Sequence, residues 1–259
     1  MKKAFFIELK DKRYHYLAKV LKEEGYPIFE YGEEALYPDR QIIYIMALTS
    51  IVNEEIAGKL KENSMLFCNR LSDDVKKMLM KKNISYHNVT DNESYVVKNA
   101  CITAEGALGY IIFNTDTSLI DMPVLILGYG RVGKALVKTF KDNYVTLSVA
   151  TNDPLEYALA SMYANNVFSL DDLCDNTKGY KAIINTVPKL ILNEKILKKI
   201  SKDCFILDLA SKPGGVDYYF AKKNELNYLH ALSVPAIVAP KAAALILKDA
   251  IIERLDKDL

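Results

Sequence analysis

The sequence predicts an α/β protein of two lobes, each a mostly parallel sheet covered by helices. Three observations predict it. Short apolar runs alternate with helical patterns along most of the chain, the mark of a parallel sheet with both faces covered. Asp121-Met122-Pro123 breaks the chain into two such series. In the second series a Gly128-x-Gly130-x-x-Gly133 turn falls between an apolar run and a helical pattern, as in a Rossmann-type doubly wound sheet.

From the N-terminus, KKAFFIEL suits a strand. YHYLAKVLKEEG has the apolar spacing of a helix, with Gly25 at its C-cap. YPIFEYG and RQIIYIMALT suit two more strands. NEEIAGKLKENS reads as a helix capped by Asn53, SMLFCN as a strand, SDDVKKMLMKKN as a helix capped by Ser72, and ISYHNV as a strand. ACITAEGALGYIIFNTD suits a long linking helix starting near Thr103, which would cap it. VLILG (strand), RVGKALVKTFKD (helix), YVTLSVAT (strand) and PLEYALASMYAN (helix) follow. Then come the short VFSLDDL, the strand KAIINTV, the helix LNEKILKKIS, the strand CFILDLA, the helix DYYFAKKNEL and the strand LNYLHAL. Pro240 opens a last helix, PKAAALILKDAIIERLDKDL. The expected divisions are a smaller N-terminal α/β domain over 1–100, a linking helix over 101–121, a nucleotide-binding Rossmann domain over 122–238 and a C-terminal helix over 239–259.

Composition narrows the function classes. Lys plus Arg number 34 and Asp plus Glu 33, a net charge of +1, so nothing favours nucleic acid or an anionic membrane as a partner. No apolar run near the length of a membrane span is expected, and the apolar part of the N-terminus is broken by Glu8, Lys10 and Asp11, too early for a signal sequence. Cys68, Cys101, Cys174 and Cys204 form no CxxC, so reduced thiols in a cytoplasmic protein are expected, with no metal site.

The glycine turn carries the first functional reading. Gly128 permits the tight turn, Gly130 lets backbone approach a pyrophosphate, and Gly133 lets helix and strand pack closely. Tyr129, Arg131 and Val132 complete a cradle whose N–H groups face the phosphates. An acid about 20 residues further on would favour NAD. The strand end holds Thr151 and Asn152 instead, small donors suited to a 2′-phosphate, with Arg131 adding charge. Asp153 comes late and equally suits a helix N-cap. NADP is therefore the expected cofactor, with NAD the alternative.

INTVPKLILN, ILDLASKPGGVDYYFAKK and SVPAIVAPKAAALIL, with TAEGALGYIIFNTD and the glycine turn, resemble the dipicolinate synthase A-subunit family of endospore-forming bacteria. The resemblance runs from about Asn99 to the C-terminus. The family usually opens with a strand ending in a Gly-Gly-Asp turn; IELKDKR stands there in this chain, with Asp11 and Arg13 the residues that keep part of a site. The resemblance implies NADP-dependent oxidation of dihydrodipicolinate to dipicolinate during sporulation. It also implies a partner flavoprotein (the synthase's B-subunit), a mother-cell cytoplasmic location and a small dicarboxylate substrate. A homo-oligomer is expected as well.

Such chemistry needs a hydride acceptor, a proton acceptor and cations for two carboxylates. Asn185, Thr186 and Pro188 follow a strand and would lie beside the nicotinamide ribose. Ser211, Lys212, Gly214 and Gly215 follow the next, with Lys212 a point charge for a carboxylate and the glycines freeing N–H groups. Lys241 at a helix start opposes the helix dipole, which favours a ligand-facing role. Thr103 and Glu105 open the linking helix, with Glu105 either a proton acceptor or a first-turn acid. Arg13 completes the substrate set. Buried Asp208 suits a loop-holding role more than catalysis, and His230 suits the core. Two other readings stay open: a two-lobed dehydrogenase of another small carboxylate, of shikimate or hydroxy-acid type, and a non-catalytic nucleotide-binding subunit of a flavoprotein complex.

Overall fold

The structure is a computed structural model describing residues 2–33 and 39–257. The chain forms two compact units, Met1–Asn99 with Pro235–Leu259, and Ala100–Val234.

The first unit runs β1 (Lys2–Ile7), α1 (Lys12–Glu23), β2 (Ile28–Glu30), β3 (Arg40–Ile45), α2 (Glu54–Lys59), β4 (Met65–Cys68), α3 (Asp73–Lys81) and β5 (Ser85–Asn88). Its strands pair in parallel in the order β2-β1-β3-β4-β5. That is the doubly wound order whose chain reverses direction between β1 and β3. Alternate strand residues face opposite sides, so Phe5 and Ile7 enter one core while Phe6 enters the other. Gly25, at φ +89°, ends α1: its N–H donates to Lys22 O (3.0 Å) and that of Tyr26 to Leu21 O (3.1 Å), a Schellman closure. Asn53 and Ser72 cap α2 and α3 as expected.

α4 (Glu93–Asn114) passes from the first unit into the second. It begins ten residues before the expected start, because the Asn92 side chain accepts from Tyr95 N (3.0 Å) and no proline lies between Glu93 and Asn114. Thr103 therefore sits buried in mid-helix and cannot be an N-cap, and Glu105 is not a first-turn acid. α4 is also long and apolar enough to cross a membrane by length and composition, which corrects the expectation that no such run exists. Its Ala104, Ala107 and Ile111 lie in the core of the second unit.

The second unit continues with β6 (Pro123–Leu127), α5 (Arg131–Lys141), β7 (Thr146–Ala150), α6 (Pro154–Ala160), β8 (Asn166–Phe168), β9 (Ala182–Asn185), α7 (Glu194–Leu197), β10 (Phe205–Asp208), α8 (Tyr218–Lys223) and β11 (Tyr228–His230). All pair in parallel in the order β11-β10-β9-β6-β7-β8. In chain order within the unit this is the dinucleotide-binding 3-2-1-4-5-6 arrangement, read from the other edge. The fold is therefore α/β with a Rossmann-type sheet, as expected. A short α9 (Val234–Val238), which SVPAIV did not suggest, leads to α10 (Pro240–Lys257). α10 packs Ala244, Leu247, Ile251 and Leu255 into the core of the first unit, with Tyr14, Leu17 and Leu21.

Candidate functional site

A row of residues crosses the second sheet at its carboxyl edge. Register aligns Ala150 with Leu127, Leu127 with Asn185, Asn185 with Asp208, and Asp208 with His230. β6, β7, β9 and β10 each end at or just before a residue the sequence marked, and their order in the sheet sets the loops after them side by side. β6 and β9 flank the point where strand order reverses, which is where doubly wound sheets bind ligands.

The glycines lock these loops together. Gly128, at φ +89°, would place a Cβ 2.6 Å from Thr186 Oγ1 and 2.9 Å from Val187 Cγ2. A Cβ on Gly133 would lie 2.2 Å from Gly128 O, so helix α5 can approach the turn only without a side chain there. A Cβ on Gly130 would meet nothing nearer than Glu156 Oε1 at 3.9 Å. Gly130 is the N-cap of α5 and supplies no side-chain cap. An open, uncapped helix N-terminus behind a tight glycine turn fits a diphosphate, which bare N–H groups and the helix dipole both favour. Arg131 and Val132 form the first turn of α5. The Tyr129 ring is buried in the core, so only its backbone faces the turn.

The loop after β9 is fixed by Asn185, fully buried. Its Nδ2 donates to Val187 O (3.0 Å) and Asp208 Oδ1 (2.8 Å), and its Oδ1 accepts from Val187 N (3.1 Å). The amide is thereby occupied within the protein, so the structure gives Asn185 a loop-positioning role in place of the expected side-chain contact with a nucleotide. Thr186 likewise donates its hydroxyl to Leu127 O (2.8 Å), against the glycine turn. Pro188 is exposed beyond it.

Asp208, also fully buried, holds the next loop. Besides Asn185 it accepts from Ala210 N (3.1 Å) and Gly215 N (2.8 Å). Three hydrogen bonds from neutral donors compensate the buried carboxylate. Gly214 and Gly215 are required by closeness: a Cβ on Gly214 would fall 2.7 Å from Asp208 Oδ2, and one on Gly215 2.2 Å from Asn185 Nδ2. The Gly215 N–H is therefore bound to Asp208 and does not await a ligand. His230 Nε2 lies 2.8 Å from Ala210 O, which can only accept, so that nitrogen carries the proton and His230 braces the same loop. Ser211 and Lys212 stand exposed at its tip, followed by a cis Lys212–Pro213 bond. Lys212 has no ion pair or hydrogen bond with the described residues.

The loop after β7 differs most from expectation. Asp153 is the N-cap of α6, accepting from Glu156 N at 2.8 Å. Thr151 is buried; its hydroxyl donates to Glu156 Oε2 (2.8 Å) and accepts from Asp153 N (3.3 Å). Glu156 Oε2 also accepts from Tyr129 N (3.3 Å), in the glycine turn. Asn152 accepts from Ser169 Oγ (2.9 Å) and Leu170 N (2.8 Å), and donates to Asp171 Oδ1 (3.2 Å). Glu156 is the residue that sequence reasoning missed. The signal was Asp153-x-x-Glu156, a capping-box spacing that turns the third helical side chain back over the helix start.

The other expected site residues lie on other elements. Glu105, in α4 of the second unit, is exposed and makes no hydrogen bond or ion pair with the described residues. In the first unit Lys241 is exposed in the first turn of α10. Arg13 is 4% exposed, lies 3.1 Å from Asp11 Oδ2 and stacks 5.0 Å from the Tyr14 ring centroid. It is built into its unit and is not an open carboxylate anchor, which corrects the substrate-binding expectation. In the same unit Glu8 ties the ends of β1 and β3 together, accepting from Ala47 N and Ser50 Oγ, each at 2.8 Å. Among the described residues no cluster of metal ligands occurs.

The fold and the glycine turn define a class: proteins with the two-unit dehydrogenase fold carrying a Rossmann-type dinucleotide sheet. D-lactate dehydrogenase from Escherichia coli shares it, at a TM-score of 0.67 and 13% identity, over 100% of this chain and 98% of that one. Within that class the chain is similar to the dipicolinate synthase A-subunit in both sequence and fold. It is 33% identical to the dipicolinate synthase A-subunit of Bacillus subtilis over 157 residues, 61% of this chain. The match spans about half of that relative's length, 53%. The crystal structure of the dipicolinate synthase A-subunit from Bacillus halodurans matches at a TM-score of 0.86 and 21% identity, over 98% of this chain and 97% of that chain. No family model matches.

Proposed function

We propose that the chain is a nicotinamide-dependent dehydrogenase like the dipicolinate synthase A-subunit, oxidising dihydrodipicolinate to dipicolinate. The observation that carries this reading is the interlock of the loops after β6, β9 and β10. Gly128 closes on Thr186 and Val187, and Gly215 closes on Asn185 and Val187 O, so the loop after β9 joins the glycine turn at the bare start of α5 to the Ser211–Gly215 loop. A bound nicotinamide would supply the hydride acceptor. The chain's own residues do the rest. Gly130, Arg131 and Val132 offer the diphosphate site; Lys212, exposed on a loop pinned from beneath by Asp208, offers a cation to a substrate carboxylate. The ring loses a hydride and a proton as it becomes aromatic, so positioning is the larger part of the protein's task. Glu105 and Lys241 are proposed for the proton and the second carboxylate. A flavoprotein partner, a homo-oligomeric state, a cytoplasmic location and a sporulation role belong to the same reading, on the similarity to the two Bacillus proteins.

The test mixes the purified chain with dihydrodipicolinate and either nucleotide, with and without the flavoprotein partner. Reduced nicotinamide is the expected product. Its absence under all four conditions overturns the enzymatic reading and favours the non-catalytic nucleotide-binding one. Lys212→Ala is expected to lower kcat/KM by roughly ten- to a hundredfold, mostly through KM, as loss of one charge-assisted contact.

A further inference from the structure

We infer that Glu156 makes the nucleotide site select NAD over NADP, reversing the expectation drawn from Thr151 and Asn152. The inference rests on the reading of the glycine turn as a dinucleotide site. In a doubly wound sheet the adenosine ribose lies at the end of the second strand, where an acid accepts from its 2′-hydroxyl. Here that strand is β7, and the charged group at that place is the Glu156 carboxylate. It lies 3.9 Å from a Cβ position on Gly130 and is held by the Tyr129 N–H and the Thr151 hydroxyl. Only Oε2 takes these two bonds, and Glu156 is partly exposed, so Oε1 remains an acceptor facing the turn. An acceptor-only carboxylate suits the two ribose hydroxyls and opposes a 2′-phosphate.

The neighbouring groups strengthen the case. The donors that would have received a phosphate are committed elsewhere. Thr151 gives its one hydroxyl proton to Glu156, and the Asn152 amide is bound to Asp171. Asp153 and Asp171 add two more carboxylates at the end of β7. Arg131, at the start of α5, is the cation of the turn itself. It is one charge against three carboxylates.

Binding measurements test this without turnover. The full chain is titrated calorimetrically with NAD, NADP, ADP-ribose and 2′-phospho-ADP-ribose. NAD and ADP-ribose should bind roughly ten- to a hundredfold tighter than their phosphorylated counterparts, the gap narrowing as salt screens the repulsion. Glu156→Gln keeps the hydrogen bonds and removes the charge; it should shrink the gap to roughly threefold, mainly by tightening NADP. Tighter binding of NADP by the unaltered chain overturns the inference whatever the variant does. A gap unchanged in Glu156→Gln removes Glu156 as its cause. If that variant does not fold, the salt dependence of the gap in the unaltered chain decides: a gap insensitive to salt overturns the electrostatic origin. Failure of the folded chain to bind any of the four compounds overturns the nucleotide site itself.

Discussion

At the scale of single residues, Asp208 and Asn185 do most to shape the candidate site while facing no ligand. Their side chains meet at 2.8 Å beneath the loops that would carry substrate and nucleotide. Asp208 accepts at both oxygens, so an amide in its place must turn an NH2 group toward a donor. Asp208→Asn is expected to destabilise the second unit by about 2–4 kcal/mol, measured by denaturant unfolding. The same change should loosen the Ser211–Gly215 loop, seen as faster amide exchange at Gly215. Unchanged stability would mean that the buried acid is not what holds the loop. Asp208 was legible in the sequence as an acid in an apolar strand needing a partner, whereas Asn185 read as a nucleotide contact. The difference is register: only the pairing of β9 with β10 places the two opposite each other.

At the scale of elements, α6 shows how a cap can organise a site. Asp153 caps the helix, its own N–H is satisfied by Thr151, and the Thr151 hydroxyl then fixes Glu156. Asp153→Ala should cost about 1 kcal/mol, a fall of about 2–4 °C in melting temperature for a chain of this size. It should also reduce discrimination between the two nucleotides, since Glu156 loses its helix register. A stability loss with discrimination intact would show that the Thr151 and Tyr129 bonds suffice. Most strands and helices here were legible because buried parallel strands leave near-continuous apolar runs and the caps are short-range signals. The start of α4 was not, because NESYVVKNA carries a polar cap far from the apolar stretch that drew attention. α9 was not, since five residues give no periodicity. Glu156 was not, because a ribose-binding acid is expected at the strand end and this one stands on the following helix.

At the scale of the whole molecule, each unit buries a free thiol in its core. Burial pushes Cys68 in the first unit and Cys204 in the second up to about 12, from 9.0. Because both are raised in the folded state, their contribution is fully present below pH 9 and is lost as pH rises from there toward about 12. Tyr228, also raised to about 12 by burial, acts in the same direction. Denaturant midpoints should therefore fall steeply above about pH 9.5, before lysines lose their charge in bulk. In the folded chain at neutral pH a thiol reagent should modify exposed Cys101 first and leave Cys68 and Cys204 untouched. Early labelling of either buried thiol would contradict this assignment.

The division of the chain has its own consequence. The first unit is closed by its last segment: α10 supplies Leu247, Ile251 and Leu255 to a core otherwise built from residues before position 100. The nucleotide elements from β6 to β11 lie wholly in the other unit. Ile251 is fully buried, and Ile251→Ala leaves a cavity against Tyr14 and Leu17, the helix α1 face that α10 covers. The change should cost the first unit about 2–4 kcal/mol, separating unfolding into two transitions of which only the earlier moves. ADP-ribose affinity, which draws on the other unit alone, should stay within about twofold at temperatures below the first transition. A parallel loss of affinity would show that the nucleotide site depends on the first unit's integrity, and that the two units fold as one cooperative body.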